Sequence, residues 1–249
     1  MVSLQKYSFF ATKPLPRAFH CTKTKRFTAD EQLISSKIAY FCKVHHICNA
    51  HTMLAILKYD AGNINSVLGA LHRLGADPVL TDDEDTLRRA DKILFPGQGQ
   101  AATTMAALRR TGLDKLIPQL QQPVLGICVG MQLLCQHSEE ADTPCLGIIP
   151  ACVKRFQPQT ADDKIPHMGW NTLDVCQPDM PLLAGLNQQY VYYVHSYYVP
   201  RCPQTAALTT YCATDFSGVL HHQNFYACQF HPEKSGAAGE QLLKNFLKL

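Results

Sequence analysis

Pro123-Val124-Leu125-Gly126-Ile127-Cys128-Val129-Gly130 is a short apolar run that ends on a cysteine with a glycine two residues away on either side. The apolar part reads as a buried strand, and helical text follows directly from about Val129 to His137. A nucleophile at a strand-to-helix junction, with small neighbours where the turn is crowded, fits the sharp elbow that presents a side chain at the top of a sheet. On that reading Cys128 stands at the carboxyl edge of a parallel sheet, the edge where open sheets bind ligands.

Towards the N-terminus the same alternation repeats. Leu54 to Asp60 reads as a first strand, followed by the turn Ala61-Gly62-Asn63. Ile64, Val67, Leu68, Leu71 and Leu74 recur at helical spacing, and Gly75 closes that helix. Pro78-Val79-Leu80 makes a second strand, Asp82 to Asp85 an acidic capping stretch, and Lys92 to Phe95 a third strand that runs into Pro96-Gly97. Strands separated by helices at this spacing predict an α/β fold with a mostly parallel central sheet flanked by helices. Beyond the cysteine the text becomes β-rich, with Tyr190 to Val199, Ala206 to Ala213 and Phe225 to Phe230 the strongest strands, and a helix from about Ala237 to Leu249 closes the chain. The second half therefore adds a β-rich portion to the parallel sheet.

The 249 residues, 46% hydrophobic and 17% charged, describe a globular chain and exclude a disordered one. No window offers the roughly 18 uninterrupted apolar residues of a membrane-spanning helix. The net charge of +3 is a sum of unlike parts: residues 1–52 carry eight basic and two acidic residues, and the remainder 15 basic and 18 acidic. The body, at −3, gives no electrostatic case for nucleic acid.

Residues 1–52 form an atypical basic N-terminal segment without sustained periodicity, expected to be disordered or non-native, and a single domain is expected over 53–249. Three readings of the leader stand side by side: translation assigned upstream of Met53, an organellar transit peptide, or a true appendage. Eleven cysteines, odd in number and scattered through apolar stretches, favour a reducing compartment over a disulfide scaffold. Cys42, His45, His46, Cys48 and His51 cluster in the leader, but half of a usual zinc spacing is missing, so no metal is expected.

A nucleophilic cysteine needs a base and an orienting acid. Gln229-Phe230-His231-Pro232-Glu233 supplies both directly after an apolar strand, which brings His231 to the strand-end edge that carries Cys128. Gly97-Gln98-Gly99, after the third strand, lets backbone N–H groups face a developing oxyanion together with the N–H of Val129. Each stretch is ordinary alone: a buried cysteine, a histidine capping a strand, a glycine turn. Their order on successive strand ends is what points to chemistry.

Together these stretches resemble the class I, triad-type glutamine amidotransferases, whose elbow reads G-x-C-x-G-x-Q, here Gly126 to Gln132, and whose base and acid lie in H-P-E, here His231 to Glu233. Asp60 to Ser66, Lys164 to Asn171, Tyr193 to Tyr197 and Gln229 to Ser235 narrow the resemblance to glutaminase subunits of imidazole glycerol phosphate synthases. The Pro166-His167-Met168-Gly169-Trp170-Asn171 segment is the most specific element, and the leader has no counterpart. One departure is Gln98, where a short apolar residue is expected; a backbone amide does the work there.

The resemblance implies that Cys128 attacks the glutamine carboxamide, His231 transfers protons and Glu233 fixes the imidazole, while amides at Gln98 and Val129 hold the oxyanion. Gln132, Gly99, Ser196 and Tyr197 would hold the amino-acid end of the substrate. It implies no cofactor, and as partner a (β/α)8-barrel cyclase in a heterodimer, faced by Asn63, Trp170 and Lys234, which converts the ammonia into imidazole glycerol phosphate and an aminoimidazole carboxamide ribonucleotide. A separate glutaminase chain further implies a bacterial or archaeal cytoplasm. The alternatives are another class I amidotransferase subunit, against which Pro166 to Asn171 speaks, and a catalytically silent binding subunit, against which intact Cys128, His231 and Glu233 speak. A thiol hydrolase of the same topology is a third; it would not need Gln132 and the oxyanion turn together with a docking face.

Overall fold

The computed structural model describes residues 52–59, 64–161 and 163–249. The leader, its Cys/His cluster and Asn63 lie outside the described residues. Residues 51–249 belong to one compact unit.

The first half alternates as expected: β1 (Leu54–Leu57), α1 (Ile64–Arg73), β2 (Val79–Thr81), α2 (Glu84–Arg89), β3 (Lys92–Gly97), α3 (Ala101–Thr111), α4 (Leu113–Leu116), β4 (Val124–Cys128) and α5 (Val129–Leu133). Then come β5 (Cys135–Ser138), β6 (Thr143–Pro144), β7 (Ile149–Arg155), β8 (His167–Val175), β9 (Gln189–His195), β10 (Tyr197–Tyr198), β11 (Thr205–Tyr211), β12 (Thr214–His222), β13 (Phe225–Cys228) and the closing α6 (Gly236–Lys248). β1, β3 and β4 are buried along their whole length, the pattern of parallel strands covered on both faces. α1 turns Val67, Ala70 and Leu71 inward, so its apolar stripe packs as its spacing dictates. Asp83 caps α2 by accepting from the Thr86 N–H, 2.8 Å away.

One nine-stranded sheet has the order β2-β1-β3-β4-β13-β12-β11-β8-β9. Pairings from β2 through β13 are parallel and those from β13 to β9 antiparallel, so the β-rich second half continues the sheet that the first half begins. A second sheet of four strands, β10-β7-β5-β6, takes the remaining strands. The helix after Cys128, expected to reach His137, stops at Leu133. The carbonyls that would extend it are occupied: Leu133 accepts from Leu146, Leu134 from Ile148 and Ile149, and Cys135 from Gly147, so the chain leaves as β5. The run Tyr190 to Val199, expected as one strand, breaks at Ser196 into β9 and β10, which lie in different sheets. There the Ser196 carbonyl turns to accept from Phe156, and the His195 ring reaches the Tyr197 carbonyl.

Candidate active site

Cys128 is the last residue of β4 and sits at φ 53°, ψ −110°, a conformation that costs a non-glycine residue about 1–3 kcal/mol and persists only where its surroundings impose it. The flanking glycines explain the imposition. A Cβ on Gly130 would lie 2.1 Å from the Phe95 carbonyl oxygen, and one on Gly97 2.0 Å from the Gly130 nitrogen. The elbow is thus pressed backbone to backbone against β3, where Gly97 lies opposite Cys128 in the ladder.

β13 pairs with β4 in parallel, Cys228 beside Ile127, so the chain emerging from β13 delivers His231 to the same edge. The His231 N–H donates to the Tyr192 carbonyl at 2.9 Å, which anchors the residue to β9. Its Nδ1 lies 2.8 Å from Glu233 Oε1, both side chains are 2% exposed, and the Cys128 sulfur is its other interacting neighbour. Burial disfavours the imidazolium, but interaction with the sulfur, then with the carboxylate, outweighs it and pushes the His231 pKa up to about 10. Neighbouring Tyr59, buried and donating to the Pro96 carbonyl, has its hydroxyl pKa raised by burial and then by charge at Cys128.

A cavity of ≈ 250 Å³ opens beside the sulfur. Gly99, Cys128, Val129, Gln132, Ser196 and Tyr197 line it, as the sequence leads one to expect. Gln98 instead lines a smaller recess with Gly97, His231 and Glu233. The large cavity also exposes Glu140, Pro166, Val194 and His195, which the sequence reading did not assign to the site. Glu140 accepts the Ala101 N–H at 2.7 Å, so a carboxylate fixed at the start of α3 faces the cavity. Nothing in the local pattern around Glu140 marks it, because its placement depends on the turn between β5 and β6.

Behind the cavity lie two buried histidines, His167 and His195, with rings 3.1 Å apart from Nδ1 to Nε2. Burial drives their pKa values down to about 4 and about 3, so both are neutral. These shifts fix the sign of the pH response. His167 and His195 contribute stability that is present above pH 6.5 and is lost as the pH falls towards about 4 and 3, because only the unfolded chain takes up those protons. His231 contributes stability that is full below pH 6.5 and is lost as the pH rises to about 10. Urea unfolding midpoints should therefore peak near pH 6.5 and fall on both sides, with the alkaline fall flattened in His231→Asn; a midpoint still rising at pH 8.5 would contradict this.

On the outer side of β8 and β9, Met168, Trp170 and Tyr190 are 66%, 55% and 63% exposed. Trp170 packs edge-on against Tyr192 at 5.9 Å between ring centroids, and Lys234 Nζ lies 6.0 Å from the centre of the Tyr192 ring. Trp170 is thus a surface residue, grouped with Lys234. Tyr192, whose carbonyl holds His231, ties this face to the turn after β13. Among the described residues, no helix is long and apolar enough to cross a membrane, and eight cysteines are free.

The family model described as glutamine amidotransferase class-I matches residues 57–249. A Bacteroides fragilis protein named imidazole glycerol phosphate synthase subunit HisH is 54% identical over 79% of this chain and 99% of its own length. Its counterpart of the same name from Idiomarina loihiensis is 44% identical over 79% of this chain and 97% of its own length. Among solved structures, one described as a glutamine amidotransferase superposes with a TM-score of 0.61 over 79% of this chain and 97% of its own, at 19% identity, and so shares the fold.

Proposed function

The chain belongs to the class I glutamine amidotransferase family, in its branch of imidazole glycerol phosphate synthase glutaminase subunits, and we propose that Cys128, His231 and Glu233 carry its hydrolysis of glutamine. The observation that carries the assignment is a single buried imidazole held 2.8 Å from a carboxylate after β13 and interacting with the sulfur at the end of β4. With its pKa pushed up to about 10, His231 is an imidazolium at neutral pH. The thiolate attacks the side-chain carbonyl of glutamine, and the negative oxygen so formed is held by backbone amides at Gln98 and Val129. As the C–N bond breaks, His231 gives its proton to the departing nitrogen and ammonia leaves. The neutral imidazole then takes a proton from water, the hydroxide opens the thioester, and glutamate departs as the thiolate and imidazolium return. Glu233 holds Nδ1 throughout, leaving Nε2 for the sulfur and the substrate. Gly99, Gln132, Ser196 and Tyr197 bind the amino-acid end in the cavity, with Glu140 opposite the ammonium.

Ammonia released into neutral water is protonated and lost as a nucleophile, so the product needs a receiver. The relatives are named as synthase subunits, and the receiver is a cyclase, a (β/α)8 barrel that forms a heterodimer with this chain and makes imidazole glycerol phosphate in histidine biosynthesis. The exposed face of Met168, Trp170 and Tyr190, with Lys234 at its rim, supports docking there; Asn63 belongs to the same interface on the family pattern. The working compartment is the cytoplasm, and residues 53–249 are the functional domain.

The test is to mix the chain with a cyclase and follow glutamate release with and without the cyclase's ribonucleotide. Release should be slow alone and rise when both are present; equal rates in all three conditions would refute the assignment. Trp170→Ala should weaken cyclase binding about 30-fold, the size of a hot-spot aromatic. Parent-like affinity by titration calorimetry would move the interface elsewhere.

A further inference from the structure

Besides His231, the Cys128 sulfur meets a second polar side chain. Gln229 is wholly buried, and its Nε2 lies 3.6 Å from Cys128 Sγ. Which end a glutamine amide shows to a neighbour is settled by the hydrogen bonds around it. Here a backbone group settles it. The Tyr197 carbonyl can only accept, and it takes His195 Nδ1 at 2.7 Å and Gln132 Nε2 at 2.9 Å. Gln132, with its nitrogen fixed in this way, offers its other N–H to Gln229 Oε1 at 2.9 Å. Only the nitrogen end of Gln229 is then left for the sulfur. Reversing Gln229 would set two amide nitrogens against each other, and reversing Gln132 would set its oxygen against the Tyr197 carbonyl.

From this geometry we propose that Gln229 is a hydrogen-bond donor to the Cys128 thiolate, held in that sense by the Tyr197 carbonyl through Gln132. An amide N–H is a stronger partner for an ionised sulfur than for a thiol, so the contact favours the attacking form and aims it. The histidine pair backs the arrangement. His195 gives its one proton to Tyr197, so its Nε2 accepts from His167 Nδ1, and the remaining His167 nitrogen faces Asn171 Nδ2 at 3.4 Å. All members are neutral, and the Tyr197 carbonyl is clamped from two sides. Asn171 follows Trp170 on β8, so the clamp begins on the strand that bears the exposed aromatic face.

The proposal rests on Cys128 as nucleophile, and its test reads the sulfur without requiring turnover. Alkylation by iodoacetamide at pH 7 is followed by mass spectrometry on the peptide containing Cys128, because exposed Cys152 and Cys176 also react. Gln229→Met keeps the length of the side chain and removes the donor; alkylation should slow about tenfold, the order of one hydrogen bond to an ionised group, and kcat should fall with it while KM for glutamine stays. Gln229→Glu keeps the acceptor for Gln132 but turns an oxygen on the sulfur, and should be slower still. A space-filling role predicts a parent-like rate for Gln229→Glu, so that variant decides the matter even if Gln229→Met fails to fold. Parent-like alkylation in Gln229→Glu overturns the proposal. Retained turnover in Cys128→Ala would instead overturn the nucleophile itself, a separate result.

Discussion

Glutamine turnover in Cys128→Ala is expected to fall by about 10⁴-fold or more, with the cyclase and its ribonucleotide present, because removal of a nucleophile leaves only binding and oxyanion stabilisation. The variant should still bind the cyclase, since the aromatic face on β8 and β9 is untouched. Glutamate release measured by a coupled assay checks the first statement and calorimetric titration the second. A second substitution separates chemistry from strain. Cys128→Gly should be equally inactive yet more stable by about 1 kcal/mol, since glycine occupies φ 53°, ψ −110° without the penalty a side chain incurs. Unchanged or lower stability of Cys128→Gly would mean that the elbow is not strained.

Gly130→Ala carries the other large effect. Its Cβ would meet the Phe95 carbonyl oxygen at 2.1 Å, and neither atom belongs to a flexible side chain, so β3 and the elbow must part. The expected cost is about 3 kcal/mol or more, a loss of roughly 6–12 °C in melting temperature for a domain of this size, together with loss of activity as Cys128 moves from His231. Gly126→Ala provides the graded comparison. Its nearest contacts stand at 3.0 Å and include the movable Leu134 side chain, so a smaller loss is expected. Thermal unfolding by circular dichroism distinguishes them, and equal melting of Gly130→Ala and the parent would refute the close approach.

How much of this was legible depended on whether a residue's role is local. The strand ending at Cys128, the acidic cap of α2 and the apolar stripe of α1 follow from spacing within a dozen residues, and the structure realises them. The pairing of His231 with Glu233 was legible because the H-P-E turn sets them two residues apart, and the structure brings them to 2.8 Å. α3 escaped because its alanines and threonines blur the contrast between its faces, although Gly112 closes it in a left-handed conformation. The end of α5 was missed because the competing donors come from residues 146–149, and the break at Ser196 because Phe156 draws that carbonyl away. Glu140 and Gln229 were unassigned for the same reason: each acts through a partner about 40 to 100 residues distant.

The position of β13 also bears on how the molecule is made. It is the last of the described strands in chain order, yet it lies in the middle of the nine-stranded sheet, between β4 and β12. Until residues 225–228 leave the ribosome, the parallel and antiparallel halves each keep an open edge, and Cys128 lacks His231 and Glu233 beside it. Its pairing with β12 is a local hairpin, whereas that with β4 spans about 100 residues and is the slower to form. On the roles proposed for His231 and Glu233, a nascent chain that lacks them should be unable to split glutamine. Arrest shortly before Phe225 should yield a species that is inert towards glutamine and prone to pair edge to edge with its own kind.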